Sequence, residues 1–258
     1  MPGQTDPTTH RFTAEDGLTL AYHEVGSGPP VVLLHGYISA ALDTWIRSGA
    51  ADGLLAAGRR LIMPDLRGHG ESDKPHELSA YPPDALIGDV RALIAHLGLT
   101  EYDLAGYSLG ARVAARLMAL GARPGRSVLG GTGLDPIVHA AGRGENYRRI
   151  FAGLGTFAPG TAEAQMQDHM SSIGADPIAL SHVLDTFVDT PREALEGVEV
   201  PTLVIAGHDD TARGSVEELA AVLRGGRLRR VPGDHLTALL GPQFRDELAA
   251  FLAGRDSA

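Results

Sequence analysis

The segment best suited to chemistry is Gly106-Tyr107-Ser108-Leu109-Gly110. It matches G-x-S-x-G, the pattern of a serine held on a sharp strand-to-helix turn with its Oγ clear of the sheet. Such a turn crowds its own backbone. Glycines two before and two after the serine relieve the crowding because they carry no Cβ. The pentapeptide alone is a weak pattern, equally compatible with an inert serine in a glycine-rich turn. Its flanks make it selective: residues 102–105 read as a short buried strand, and 109–120 read as a helix with Val113, Leu117 and Leu120 on one face.

A serine hydroxyl is a poor nucleophile until a base takes its proton. The sequence holds eleven histidines, so position must select among them. His235 follows the last predicted strand in Val231-Pro232-Gly233-Asp234-His235, where a loop reaches the same sheet edge as the serine turn. His10, His23, His76, His96, His139, His169 and His182 read as surface or structural residues. His69 lies in a glycine-rich turn, and His208 lies beside the candidate acid. The base in turn needs a carboxylate to orient it and stabilise its imidazolium. Asp209 and Asp210 both follow the strand at 202–206, and Asp210 is the choice. Asp135, after the run at 127–129, is an outside candidate, and the side chain of Asp234 is expected to point away.

The amides at the start of the helix after Ser108 face the nucleophile, so the Leu109 N–H is expected to bind a developing oxyanion. The second donor is expected from the loop His35-Gly36-Tyr37, through the Tyr37 N–H. His35, Gly36 and Tyr107 are assigned to substrate binding, with Tyr107 on the pocket floor and the His35 ring expected to brace its loop. Trp45, the single tryptophan, is expected in the core or near the site.

These residues require a scaffold that delivers several loops to one edge. Short strand-like runs recur at 31–34, 60–63, 102–105, 127–129, 202–206 and 227–231, each leading into glycine or proline. Runs without alternation suit strands buried on both faces. Residues 11–25 alternate loosely around Asp16-Gly17 and predict a hairpin. Helical stretches lie between the runs. Asp84 is predicted to cap a helix bearing Leu86, Val90, Leu93, Ile94 and Leu97; Ser215 and Glu218 form a capping box; Phe244, Leu248, Phe251 and Leu252 share a face. The prediction is an α/β fold with a mostly parallel central sheet and helices on both faces. From 136 to 192 the rhythm breaks, and a small helical insertion is predicted there, read as a lid over the site.

The chain has 258 residues, 43% hydrophobic and 21% charged, which suits one domain of the larger α/β type. Its formal net charge of -10 argues against nucleic acid, and it gives no reason to expect an anionic membrane surface as partner. There are no cysteines, so disulfides, thiolate metal sites and cysteine nucleophiles are excluded. The first eleven residues are polar and do not read as a signal peptide, and no stretch approaches the roughly 20 apolar residues that span a bilayer. A cytoplasmic location is the expectation.

Taken together these residues resemble the α/β-hydrolase family, in its serine-hydrolase, esterase-like branch with a small cap. Asp65-Leu66-Arg67-Gly68-His69-Gly70-Glu71-Ser72 is similar to the family's D-x-R-G-H-G-x-S turn, and 200–210 is similar to its acid strand, P-x-L-x-x-x-G-x-x-D, which favours Asp210 over Asp209. The resemblance implies a core of 1–135 and 193–258 with a cap at 136–192. It implies ester hydrolysis of a small-molecule substrate through an acyl-enzyme, with Ser108, His235 and Asp210 as triad and no metal or organic cofactor. Lactone or thioester hydrolysis, perhydrolysis or a lyase step on the same triad are the alternatives, followed by a non-catalytic binding homologue. Haloalkane dehalogenases and epoxide hydrolases of this fold use an aspartate nucleophile, and here Ser108 occupies that position.

Overall fold

The computed structural model describes residues 6–211 and 214–254. The predicted hairpin and the six runs singled out in the sequence become strands: β1 Thr8–Thr13, β2 Thr19–Val25, β3 Pro30–Leu34, β4 Arg60–Pro64, β5 Asp103–Tyr107, β6 Ser127–Gly130, β7 Thr202–Gly207 and β8 Gly226–Val231. They form one eight-stranded sheet in the order β1-β2-β4-β3-β5-β6-β7-β8. β2 runs antiparallel to both its neighbours, and the other pairs are parallel. β1 begins at Thr8, inside the stretch read as a polar leader. It is an exposed edge strand, with Phe12 its one buried residue, so its first three residues, ahead of the predicted hairpin, carried no hydrophobic signal. Residues 1–5 of that leader lie outside the described residues.

Side chains of the central strands divide by the period of two. Val32, Leu34, Ile62, Leu104, Leu129 and Val204 enter one apolar cluster, while Val31, Leu33, Leu61, Met63, Val128 and Leu203 enter the other. The helices are α1 Asp52–Ala56, α2 Ala85–His96, α3 Leu109–Ala119, α4 Asp135–Val138, α5 Glu145–Ala152, α6 Ala162–Ser172, α7 Pro177–Val183, α8 Arg192–Glu196, α9 Val216–Val222, α10 Thr237–Leu240 and α11 Pro242–Leu252. Buried residues of α2, α3 and α9 fill the first cluster; those of α1 and α11 fill the second, together with the fully buried Trp45. None of the described helices is long and apolar enough to cross a membrane.

Between β6 and β7 the chain holds α4 to α8. The Thr161 hydroxyl accepts from the Ala164 N–H to start α6, and the Asp176 carboxylate accepts from Ile178 and Ala179 to start α7. Met170, Ala179, Leu180 and Val183 of these helices join the first core cluster. Two local expectations are corrected. Asp84 precedes α2 in a left-handed conformation, φ 62°, and makes no cap; its carboxylate instead pairs with the Arg116 guanidinium. Leu120 lies beyond α3 and is exposed. Ser215 does cap α9, accepting from the Glu218 N–H at 3.0 Å.

The chain order reverses around β3. After β3 it adds β4 on one side, then returns to place β5 on the other. In open α/β sheets the crevice outside such a switch point is where ligands bind. Leu34 pairs with Gly106, so the loops after β3 and β5 leave the sheet side by side.

Candidate active site

Ser108 follows β5 with φ 54° and ψ −107°; among the described residues only Asp84 shares a positive φ without being glycine. A conformation of this kind costs of order 1–3 kcal/mol and persists only where the surroundings enforce it. Here the Ser108 N–H donates to the Gly130 carbonyl at 2.8 Å. The flanking glycines are required by close approach. A Cβ on Gly106 would lie 2.2 Å from the Gly110 carbonyl oxygen, and one on Gly110 would lie 2.1 Å from that of Leu34. The first turn of α3 is therefore pressed against the end of β3.

The loops after β7 and β8 are joined in the same way. The main-chain N–H of His208 donates to the Val231 carbonyl at 2.8 Å and that of Asp209 to the Gly233 carbonyl at 3.1 Å, while a Cβ on Gly207 would meet the Gly233 oxygen at 2.0 Å. This contact delivers two side chains to one another: His235 Nδ1 lies 2.8 Å from Asp210 Oδ2, and His235 Nε2 lies 3.2 Å from Ser108 Oγ. The Asp210 carboxylate is buried and the His235 ring is mostly so. The other aspartates weighed from the sequence are elsewhere. Asp209 is exposed. Asp135 is exposed and pairs with Arg143. Asp234 turns away, accepting from Leu236 and Thr237 at 2.9 Å ahead of α10. Those bonds hold its carboxyl below the ordinary range.

The loop after β3 passes beside the serine: the nearest atoms to a Cβ on Gly36 would be Ser108 Cβ and the Tyr107 carbonyl oxygen, both at 3.9 Å. Its shape is set from beneath. The Leu66 N–H donates to His35 Nε2 at 3.0 Å, so Nδ1 carries the proton and donates to the Gly36 carbonyl at 2.7 Å. The ring is fully buried, and burial lowers its pKa. His35 thus braces the loop as a neutral imidazole, and its assignment to substrate binding is corrected. Tyr107 also changes role. It is 3% exposed, and its hydroxyl donates to the His235 carbonyl, so it supports the backbone of His235 instead of forming a pocket floor.

Sequence reasoning missed the work of the 65–72 turn. The Asp65 carboxylate accepts from Ala41, Glu71 and the buried His23 at 2.8–3.0 Å. Burial works to raise its pKa, but these bonds and nearby His35 outweigh it and hold the carboxyl below its ordinary range. Arg67 forks onto Asp89 of α2 at 2.7 and 2.5 Å and reaches Asp16. His69 Nε2 lies 2.6 Å from the Tyr37 carbonyl, and burial lowers the pKa of this ring to about 3. The similarity of the whole segment to a family turn was the available signal; its partners, remote in sequence, were not readable. Among the described residues no group of three or more His, Cys, Asp or Glu side chains is placed to hold a metal ion.

Comparison with known proteins agrees with this fold. The family model of the alpha/beta hydrolase fold matches residues 29–190. The AB hydrolase superfamily protein YisY of Bacillus subtilis is 37% identical over 110 residues, 43% of this chain and 39% of that protein. An epoxide hydrolase of Caballeronia sordidicola is 37% identical over 98 residues, 38% of this chain and 29% of that protein. The chain therefore matches well under half the length of these curated relatives. Among solved structures, a thermophilic esterase from Thermogutta terrifontis superposes with a TM-score of 0.75 over 97% of this chain and 100% of the other at 22% identity, a likeness of fold. With the family model spanning more than half its length, the chain belongs to the alpha/beta hydrolase fold family.

Proposed function

We propose that this chain is a serine hydrolase that cleaves a carboxylic ester of a small molecule through an acyl-enzyme. The observation that carries the reading is the unbroken relay Ser108 Oγ, His235 Nε2, His235 Nδ1, Asp210 Oδ2, at 3.2 and 2.8 Å. Asp210 accepts a hydrogen bond from the Nδ1–H of His235, which leaves Nε2 unprotonated and free to take the proton of the serine hydroxyl. Ser108 Oγ attacks the ester carbonyl, and negative charge develops on the carbonyl oxygen beside the Leu109 and Tyr37 N–H groups. One such donor contributes about 3–4 kcal/mol to the transition state. His235 then returns the proton to the departing alkoxide. In the second half, water replaces the alcohol, His235 takes its proton, and the acid leaves as Ser108 recovers its own. These steps use side chains, amides and water.

Epoxide hydrolases occur among the relatives, as with the Caballeronia protein. The nucleophile position argues for acyl chemistry: attack by an aspartate creates an ester that water opens, whereas attack by serine on an epoxide would leave a stable ether. The helices between β6 and β7 are assigned as the cap that shapes the acyl and alcohol pockets.

The reading is tested with a fluorophosphonate probe and a series of p-nitrophenyl esters. The expected result is one covalent adduct, on the peptide holding Ser108, and ester turnover that Ser108→Ala abolishes. Turnover unchanged by that substitution overturns the proposal.

A further inference from the structure

Tyr37 is held at both ends. Its main-chain carbonyl accepts from the buried His69 of the core. Its phenol reaches the opposite way, donating to the Leu180 carbonyl of α7 at 2.5 Å. The ring packs edge-on against Tyr147 of α5, with centroids 4.9 Å apart, and Phe151 lies 6.3 Å away. The side chain is 8% exposed, and burial raises its pKa, so it remains a neutral donor. The next residue is gripped as well: His169 Nε2 of α6 lies 3.1 Å from the Ile38 carbonyl. Two consecutive residues of the oxyanion loop are thus bonded to two different helices of the β6–β7 insertion. Helix α5 links those two: its Arg148 reaches Ser181 of α7 and Asp185 just beyond it at 3.0 and 2.7 Å, and its Arg149 lies 3.5 Å from Glu163 of α6.

We infer that the insertion is a positioning device for the oxyanion hole: the Tyr37 phenol, seated on the α7 backbone, sets the direction of the Tyr37 N–H, so that efficient acyl transfer requires the insertion to be docked. The inference rests on the serine-hydrolase reading. Its physical basis is that a hydrogen bond to a developing oxyanion depends steeply on donor placement, while ground-state binding does not. A phenol anchored to a carbonyl and enclosed by two aromatic rings has little freedom. Removing the anchor while retaining the ring frees the loop to rotate without unfolding the insertion. Tyr37 acts here through its own amide, as a positioning residue whose side chain touches no substrate.

The test compares Tyr37→Phe and Tyr147→Leu with wild type, using p-nitrophenyl acetate turnover and inhibition by benzeneboronic acid, which forms a tetrahedral adduct on serine. The expected result for Tyr37→Phe is a fall in kcat of about tenfold with KM within twofold, and a matching rise in the boronate inhibition constant. Tyr147→Leu, which loosens the same ring without altering the phenol, is expected to shift both quantities in the same direction by a smaller factor. A rise in KM with unchanged kcat overturns the inference, because the insertion then serves substrate binding alone. Unchanged kcat and boronate affinity in both variants overturn it too. If the wild-type protein forms no boronate or fluorophosphonate adduct at all, the failure lies with the serine-hydrolase reading.

Discussion

The phenol of Tyr107 donates to the main-chain carbonyl of His235 at 2.7 Å, so the residue preceding the serine holds the backbone of the histidine that faces it. The Tyr107 ring lies 5.5 Å from the His235 ring and edge-on to Phe244 at 5.4 Å. The end of strand β5 therefore carries a support for the proposed base, which arrives from more than a hundred residues away, and the turn directly after it carries the proposed nucleophile. Tyr107→Phe keeps the packing and removes the bond. It is expected to cost about 1 kcal/mol of stability and to lower kcat severalfold with KM unchanged. Chemical denaturation and steady-state kinetics on one preparation check both parts.

Adjacent aspartates after β7 should differ sharply. Asp210 is the one bonded to His235, whereas Asp209 is exposed and contributes its amide to the Gly233 carbonyl. Asp210→Asn places an amide against Nδ1, favours the wrong tautomer and is expected to lower kcat by about 10⁴. Asp209→Asn leaves the main chain intact and is expected to stay within twofold of wild type. Comparable losses in the two variants, read from ester turnover, would remove the assignment of the acid.

Two glycines separate tight approach from simple flexibility. Gly110 cannot carry a Cβ without striking the β3 backbone at the Leu34 carbonyl, whereas Gly88, inside α2, has nothing within 4 Å of that position. Gly110→Ala is expected to destabilise the fold by about 1–3 kcal/mol and to disturb the serine turn. Gly88→Ala is expected to stabilise it by about 0.5–1 kcal/mol through lower entropy of the unfolded chain and better helix propensity. Opposite shifts in urea midpoint are the result to look for.

Much of this arrangement was legible in the sequence. Runs buried on both faces carry a strong apolar signal, and each ends in the glycine or proline that releases the chain into a loop. Ser108 and His235 were identifiable from their places just after two of these runs, and Asp210 from the resemblance of 200–210 to the family's acid strand; the strand order then brings the three loops together. Side-chain direction was not legible. Tyr107 looked like a pocket residue because it sits beside the serine, but the strand period of two sends its ring toward Phe244 and α11. Asp84 looked like a cap, yet Arg116, 32 residues on, takes its carboxylate. The interlock of Asp65, His23, Arg67 and Asp89 joins residues far apart in sequence, and residue types alone do not pair them. Within 136–192 the sequence offered only a helical insertion; Thr161 and Asp176 mark two of its helix starts in retrospect.

Buried histidines set the acid limit of stability. His69 is buried, and burial foremost, with the neighbouring His35 second, lowers its pKa to about 3; bonds to the Arg67 and Tyr37 carbonyls and the charge of Asp65 pull the other way and lose. A neutral ring can donate to only one of those carbonyls, and the shorter contact, to Tyr37 at 2.6 Å, takes the proton. In the unfolded chain the same ring titrates near its ordinary value of about 6.5. Between those two values the unfolded state binds a proton that the folded state does not, so stability rises with pH across this window and falls as the medium is acidified from 6.5 toward 3. Each such histidine contributes a slope of up to about 1.4 kcal/mol per pH unit, and His35, lowered by burial, acts in the same direction. Asp65, held below its ordinary range, adds a further loss at lower pH as the unfolded carboxyl takes up its proton. Urea denaturation at pH 8, 6 and 4.5 should show a plateau above 6.5 and a steep decline below it. In His69→Gln, where no proton can be taken up at this position, the decline between 6 and 4.5 should be shallower by roughly one proton's worth. Identical slopes in the two proteins would mean that the His69 ring already carries its charge in the folded state, bridging both carbonyls as an imidazolium.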